Sequence, residues 1–132
     1  MAGDEIKKLI KEEIEIAKRR LKAAKFLLEK DMVEDAVNRI YYAVFYAGKS
    51  MLNSLGYDAK THSGLISEFS LRIVKEGLAD KELAVTLRKA FELRESSDYQ
   101  IGAVIEKEEV VKLIKSAEEF LNQAKKFVEK RI

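Results

Sequence analysis

Residues 32–55 read MVEDAVNRIYYAVFYAGKSMLNSL, and their pattern is the strongest indication of the fold class. Apolar side chains recur in this stretch every three or four positions, at Val33, Val37, Ile40, Val44, Ala47 and Met51. This spacing places them on one face of a helix. Between 41 and 48 almost every residue is apolar or aromatic, which is typical of a helix at the centre of a bundle. We therefore expect a central helix over about 32–55, with Asp31 as its N-cap and Gly56 after its end.

Four further segments show the same helical spacing of apolar residues. They predict helices over residues 4–30, 63–76, 80–96 and 106–131. Thr61 or Ser63 can cap the third helix and Asp80 the fourth, since their side chains accept hydrogen bonds from free backbone N–H groups. Residues 97–105 are expected to be irregular, because the serine pair at 96–97 competes for the helical backbone. The prediction is an all-α, up-and-down bundle of about five helices.

Composition limits the classes of function. The 132 residues suit one domain with its own core, so we expect residues 1–132 to form a single domain. The absence of cysteine excludes disulfides and thiolate zinc sites, and the single histidine excludes a multi-histidine metal site, so no metal or cofactor is expected. Basic residues number 25 and acidic residues 23, so any nucleic-acid binding must come from a local patch.

The same sequence predicts a cytoplasmic protein that does not contact a membrane. Its apolar runs stay well short of the roughly 18–20 residues that a membrane-spanning helix needs. The N-terminal stretch MAGDEIKKLIKEE also lacks the apolar core of a signal peptide.

A second stripe on the central helix is polar and aromatic. Its members, three or four positions apart, are Asp35, Arg39, Tyr42, Tyr46, Lys49 and Asn53. Tyrosine offers a ring for stacking and a hydroxyl, and arginine beside tyrosine can stack and still bind a phosphate or carboxylate. The stripe therefore predicts either a ligand-binding cleft or a subunit interface.

Arg94 falls on the inward face of the fourth helix. A buried charge without a partner is costly, so Arg94 must be paired or must line a cleft. Asp98 stands four residues later, at the spacing of a partner on the same helical face, and Tyr99 can add a hydroxyl. The alternative is a salt bridge that only staples the end of the helix.

The motif THSG at residues 61–64 contains the only histidine, His62. One interpretation is a capping turn with a surface histidine. The other places His62 at the mouth of a cleft beside Arg94, where it could contact an anion.

The run AVNRIYYAVFYA at residues 36–47 resembles the central helix of HEPN domains, and THSG and RESSDY follow in the order of the small standalone HEPN branch. The resemblance implies a helical bundle, usually a homodimer, that is often paired with a minimal nucleotidyltransferase in prokaryotic toxin–antitoxin-like modules. Many HEPN proteins are metal-independent RNases with an arginine followed four to six residues later by a histidine. Here Arg94 matches the motif arginine, but Tyr99 stands where the histidine would be, which favours a protein that is not an enzyme.

Three functions follow as hypotheses. The leading one is a HEPN-type partner protein that binds a nucleotide, an RNA or a minimal nucleotidyltransferase. The residues expected to line its cleft are Arg39, Tyr42, Tyr46, His62, Arg94, Asp98 and Tyr99. The second is a metal-independent endoribonuclease, in which Arg94 stabilises the phosphate and His62 is the acid or base. The third is a structural dimerisation module, with a twofold interface formed by the aromatic side chains of the central helix.

Overall fold

The computed structural model describes residues 3–99, 102 and 104–132, with the side chain of Tyr99 outside the described set. Five α-helices follow one another: α1 Asp4–Glu29, α2 Val33–Ser54, α3 His62–Phe69, α4 Lys81–Tyr99 and α5 Lys107–Glu129. A π-helical turn, Ser70–Val74, continues α3 directly. Among the described residues no strand occurs. The predicted all-α fold is therefore confirmed.

Helix α2 lies at the centre of the molecule, as predicted. It packs against α1, α3, α4 and α5, and its side chains Ile40, Tyr41, Met51 and Leu52 are fully buried. Gly56 follows its C-terminal end with a positive φ of 89°, a conformation that glycine adopts without a steric penalty. Tyr41 of α2 packs against His62 of α3 and Phe91 of α4, so the face of α2 toward these two helices is aromatic.

Gly48 of α2 faces two aromatic side chains, one from α3 and one from α5. A Cβ atom at this position would be 3.5 Å from the ring of Phe120 and 3.6 Å from the ring of Phe69. These two rings stack on each other with centroids 5.5 Å apart and are both fully buried. The aromatic pair thus joins α3 to α5 in the core, next to Gly48 of α2.

The turn between α1 and α2 differs from its prediction. The N-cap of α2 is Met32, and no side chain caps this helix. Asp31 instead adopts a left-handed conformation with φ 60°, which aspartate tolerates better than most residues. Its carboxylate accepts a hydrogen bond of 2.5 Å from Lys107 Nζ, at the start of α5. The prediction of Asp31 as an N-cap was therefore wrong.

The other caps were predicted correctly, but the end of α4 was not. Thr61 Oγ1 accepts a hydrogen bond from Gly64 N at 2.9 Å, and Asp80 Oδ1 accepts one from Glu82 N at 3.1 Å. Helix α4 continues through the serine pair at 96–97 to Tyr99, so the expectation of irregular backbone was wrong for residues 97–99. Residues 100, 101 and 103 of the expected segment lie outside the described residues. The additional turn carries Asp98, whose ion pair with a residue four positions earlier supports the helix there.

Candidate functional site

An aromatic–basic cluster forms where α2 meets the start of α3 and the second half of α4. We define the cluster by Tyr41, Tyr42, Phe45, His62 and Arg94. Tyr41 is at its centre and is fully buried. Its ring centroid lies 5.2 Å from that of Tyr42 and 5.4 Å from that of His62, and the His62 ring is 4.9 Å from Phe45. The sole histidine is thus packed among three aromatic rings.

Arg94 is held in the cluster by two rings and one carboxylate. Its guanidinium carbon lies 5.0 Å from the centroid of Tyr41 and 5.5 Å from that of Tyr42, within cation–π range. Arg94 Nε lies 3.3 Å from Asp98 Oδ2, and the Arg94 side chain is 14% exposed. Nε is nevertheless without an aligned hydrogen-bond partner among the described residues. The contact is an ion pair and not a hydrogen bond, because the two atoms are close but poorly oriented.

His62 is the first residue of α3. It follows Thr61, whose side chain caps this helix and thereby fixes the turn that contains His62. Its Nδ1 is hydrogen-bonded to the hydroxyl of Tyr41. Burial is the largest cause that lowers the pKa of His62 below its usual range; the charge of Arg94 lowers it further, and Glu95 opposes both. The imidazole is therefore neutral at pH 7. His62 and Arg94, far apart in the sequence, both contact Tyr41.

The structure brings together five of the seven side chains expected to line the cleft: Tyr42, Tyr46, His62, Arg94 and Asp98. Tyr46 is half-buried, with its ring 6.4 Å from that of Tyr42, and extends the cluster by one helical turn. Arg39 lies on α2 one turn before Tyr42, and its side chain is exposed. Tyr99 belongs to α4, but its side chain lies outside the described residues.

Tyr41 is the central residue that sequence reasoning missed. Its position within an almost continuous apolar run suggested only a contribution to the core. A signal was nevertheless present, because a fully buried tyrosine needs a hydrogen-bond partner for its hydroxyl. That need pointed to a polar group on another element, and the structure supplies His62.

The polar stripe predicted along α2 is divided between two sites. Asn53, its last member, lies away from the cluster and donates hydrogen bonds to Glu13 of α1. Lys49 lies 3.7 Å from Asp58 in an ion pair. Burial raises the pKa of Glu13 to about 7, although Asn53 and Lys49 act in the opposite direction. Asn53 therefore joins α1 to α2, whereas Lys49 stays beside the cluster, with its Nζ 6.0 Å from the ring centroid of Phe45.

Two kinds of feature are absent from the part of the chain that the structure describes. No group of three or more histidine, aspartate or glutamate side chains is arranged to hold a metal ion. No described helix combines the length and the apolar character needed to cross a membrane.

The family follows from comparison with known proteins. Residues 10–127 match the model of the HEPN domain. The chain belongs to the HEPN domain family. A UPF0332 protein of Thermotoga maritima is 38% identical to this HEPN chain over 113 residues, which cover 86% of each protein.

Two proteins of Methanocaldococcus jannaschii named "Putative toxin" are also similar. One is 36% identical over 126 residues, covering 96% of this chain and 93% of the relative. The other is 34% identical over 115 residues, covering 87% of this chain and 78% of the relative. Two relatives of this HEPN protein thus bear names that describe them as toxins.

Proposed function

We propose that this HEPN protein is an RNA-binding member of a toxin–antitoxin-like module, in which the aromatic–basic cluster holds a phosphate group of the RNA. The observation that carries the proposal is the position of Arg94, whose guanidinium lies within 5.5 Å of two tyrosine rings and stays partly exposed. Ring contacts fix the plane of a guanidinium, and its terminal amino groups form the fork that matches phosphate oxygens. The names of two relatives support the module.

The tyrosines beside Arg94 suit the bases of a single-stranded RNA. Tyr42 and Tyr46 are half-buried, so each ring is partly covered by the cluster and partly accessible. Base–aromatic stacking contributes about 1–3 kcal/mol per base and does not depend strongly on sequence. With a net charge of only +2, the affinity must come from this local arrangement.

The proposal is tested by the affinity of a short, fluorescently labelled, single-stranded oligoribonucleotide, measured by anisotropy. We expect Arg94→Ala to lower the affinity by at least about tenfold, since a charged hydrogen-bonding group is lost. Arg94→Lys should recover little of it, because lysine lacks the planar fork. Arg88→Ala is the matched control, as Arg88 is exposed on the same helix. Equal losses in the two alanine variants would show nonspecific charge attraction and refute the site.

A second candidate function is metal-independent RNA cleavage. It is favoured by the placement of His62 and Arg94 against the same Tyr41 ring. His62 would take the proton of a 2′-hydroxyl, and Arg94 would stabilise the charge on the phosphate. Incubation of the oligoribonucleotide with the protein in a metal chelator decides this point. Cleavage that is lost in His62→Ala supports the nuclease, whereas binding without cleavage supports the first function.

We further propose that one domain, residues 1–132, forms a homodimer and pairs with a minimal nucleotidyltransferase. Support for the dimer comes from Phe45, an aromatic side chain that stays half-buried on the same helix as Tyr42 and Tyr46 and is not needed for stacking on RNA. Partly exposed apolar surface of this kind is typical of interfaces. Light scattering at micromolar concentration tests the dimer, and co-purification with a nucleotidyltransferase tests the pairing. A dimer that neither binds RNA nor pairs with the enzyme would leave the third function, a structural dimerisation module.

A further inference from the structure

We propose that Tyr41 fixes His62 as the tautomer that carries its proton on Nε2, which makes His62 a hydrogen-bond donor to the phosphate beside Arg94. Tyr41 is then a positioning residue, since it acts on the ligand only through His62. The tautomer follows from the hydrogen bond between the two side chains. That a phosphate accepts the hydrogen bond from Nε2 rests on the proposed function.

The direction of the hydrogen bond follows from the burial of Tyr41. Its side chain is fully buried, and among the described residues His62 Nδ1 is the only group hydrogen-bonded to its hydroxyl. If Nδ1 were the donor, the phenolic proton would be left without a described acceptor. A buried donor without an acceptor costs free energy, so the phenol donates and Nδ1 accepts.

The charges around the pair support this assignment. Burial raises the pKa of the Tyr41 phenol well above its usual range; Arg94 opposes this shift, while Tyr42 and Glu95 add to it. Burial and Arg94 lower the pKa of His62, as described above. Both groups are consequently neutral near pH 7. The phenol keeps its proton, and the imidazole has one proton to place on either ring nitrogen.

With Nδ1 accepting from Tyr41, the single proton of His62 is on Nε2. Among the described residues Nε2 has no hydrogen-bond partner, so its N–H is available to a ligand. His62 and Arg94 both lie against the ring of Tyr41, with the His62 ring 5.4 Å and the Arg94 guanidinium carbon 5.0 Å from its centroid. Both groups donate hydrogen bonds and neither accepts at the donating atom, which suits the oxygens of a phosphodiester.

The same tautomer bears on RNA cleavage. A nitrogen that already carries a proton cannot remove one from a 2′-hydroxyl, and Nδ1 is occupied by Tyr41. The inference therefore favours binding of RNA over cleavage by His62 as a base.

The tautomer can be read directly, because the chain contains a single histidine. In a protein labelled with ¹⁵N-histidine, we expect Nε2 to resonate as a protonated nitrogen and Nδ1 as an unprotonated nitrogen that accepts a hydrogen bond. Tyr41→Phe should remove the shift that this bond causes at Nδ1, and Tyr42→Phe, the matched control, should not. Protonated Nδ1 in the wild type would overturn the assignment, whatever the variants do.

The donor role is tested with the short oligoribonucleotide. His62→Gln keeps an N–H donor on a side chain of similar reach, and His62→Ala removes it. We expect glutamine to bind within about threefold of the wild type and alanine to bind about tenfold more weakly, as for the loss of one hydrogen bond to a charged group. Equal loss in both variants would overturn the donor role. No binding by the wild type would refute the proposed function and the phosphate acceptor together, whereas the tautomer is decided by the spectrum alone.

Discussion

Asn53 of α2 donates hydrogen bonds from Nδ2 to both carboxylate oxygens of Glu13 in α1, at 2.9 and 3.1 Å. Glu13 is only 3% exposed, so its carboxyl group is part of the interface between the two helices. Removal from water disfavours the ionised form, which raises the pKa of Glu13 to about 7. Lys49 lies near enough to oppose this shift but does not cancel it.

Glu13 should make the protein less stable as the pH rises. In the unfolded chain it ionises near its ordinary pKa of 4.5, and in the folded protein near 7, so between these values the folded state holds the additional proton. Its contribution to stability is fully present below pH 4.5 and is lost as the pH passes about 7. The loss is up to about 3 kcal/mol, since one pKa unit corresponds to about 1.4 kcal/mol. Urea denaturation at pH 5 and pH 8 measures it.

Glu13→Gln is the matched variant for this measurement, because glutamine keeps an acceptor for Asn53 and cannot ionise. We expect it to be more stable than the wild type at pH 8 and similar to it at pH 5. A variant that gains nothing at pH 8 would show that Glu13 does not titrate as described.

Arg94 should contribute to stability as well as to binding. We expect Arg94→Ala to lower the free energy of unfolding by about 1–2 kcal/mol, because it removes two ring contacts and a partly exposed ion pair. Arg94→Lys should lie between alanine and the wild type. Thermal melting of the variants used for RNA binding provides the measurement. A large loss of stability with unchanged RNA affinity would leave Arg94 a structural role only.

Two glycine-to-alanine substitutions should have opposite effects. At Gly64 the new Cβ would lie 2.6 Å from Thr61 Oγ1, so the threonine must move and its cap at the start of α3 is lost. At Gly48 the nearest atoms are at ordinary contact distances of 3.5 Å or more, and alanine is the better helix former. We expect Gly64→Ala to be less stable than Gly48→Ala by about 1 kcal/mol or more, the usual value of a cap. Equal melting temperatures would contradict the role of Thr61.

The affinity for RNA should depend only weakly on salt. If one or two phosphates bind at the cluster, a plot of the logarithm of the binding constant against the logarithm of the salt concentration should have a slope of about −0.7 to −1.4. Titrations with the oligoribonucleotide between low and physiological salt give this slope. A much steeper dependence would indicate a broad basic surface in place of the cluster.

Features of the molecule that depend on local spacing could be predicted from the sequence. The five helices could be predicted because apolar residues recur three or four positions apart. This spacing gives each helix one buried face. The Arg94–Asp98 pair follows from a separation of four residues on one helix, and the cap at Thr61 from the position of a short polar side chain.

The contacts that join different helices could not be predicted in the same way. Tyr41 and His62 are 21 residues apart, and Glu13 and Asn53 are 40 apart, so no local pattern relates them. Asp31 illustrates a different limit. A left-handed backbone at that residue depends on how tightly α1 must turn into α2, which the identity of one side chain does not reveal.

The π-helical turn after α3 is a place where the chain can lose one residue. The N–H of Lys75 donates to the carbonyl of Ser70, five residues earlier, whereas an α-helical bond spans four. This turn therefore holds one residue more than an α-helix needs, and Leu71 within it is exposed while Ile73 is fully buried. Deletion of Leu71 would let the turn close as ordinary α-helix and keep Ile73 on its inward face. A chain one residue shorter at this point can retain the same core, so natural variation in length is expected here.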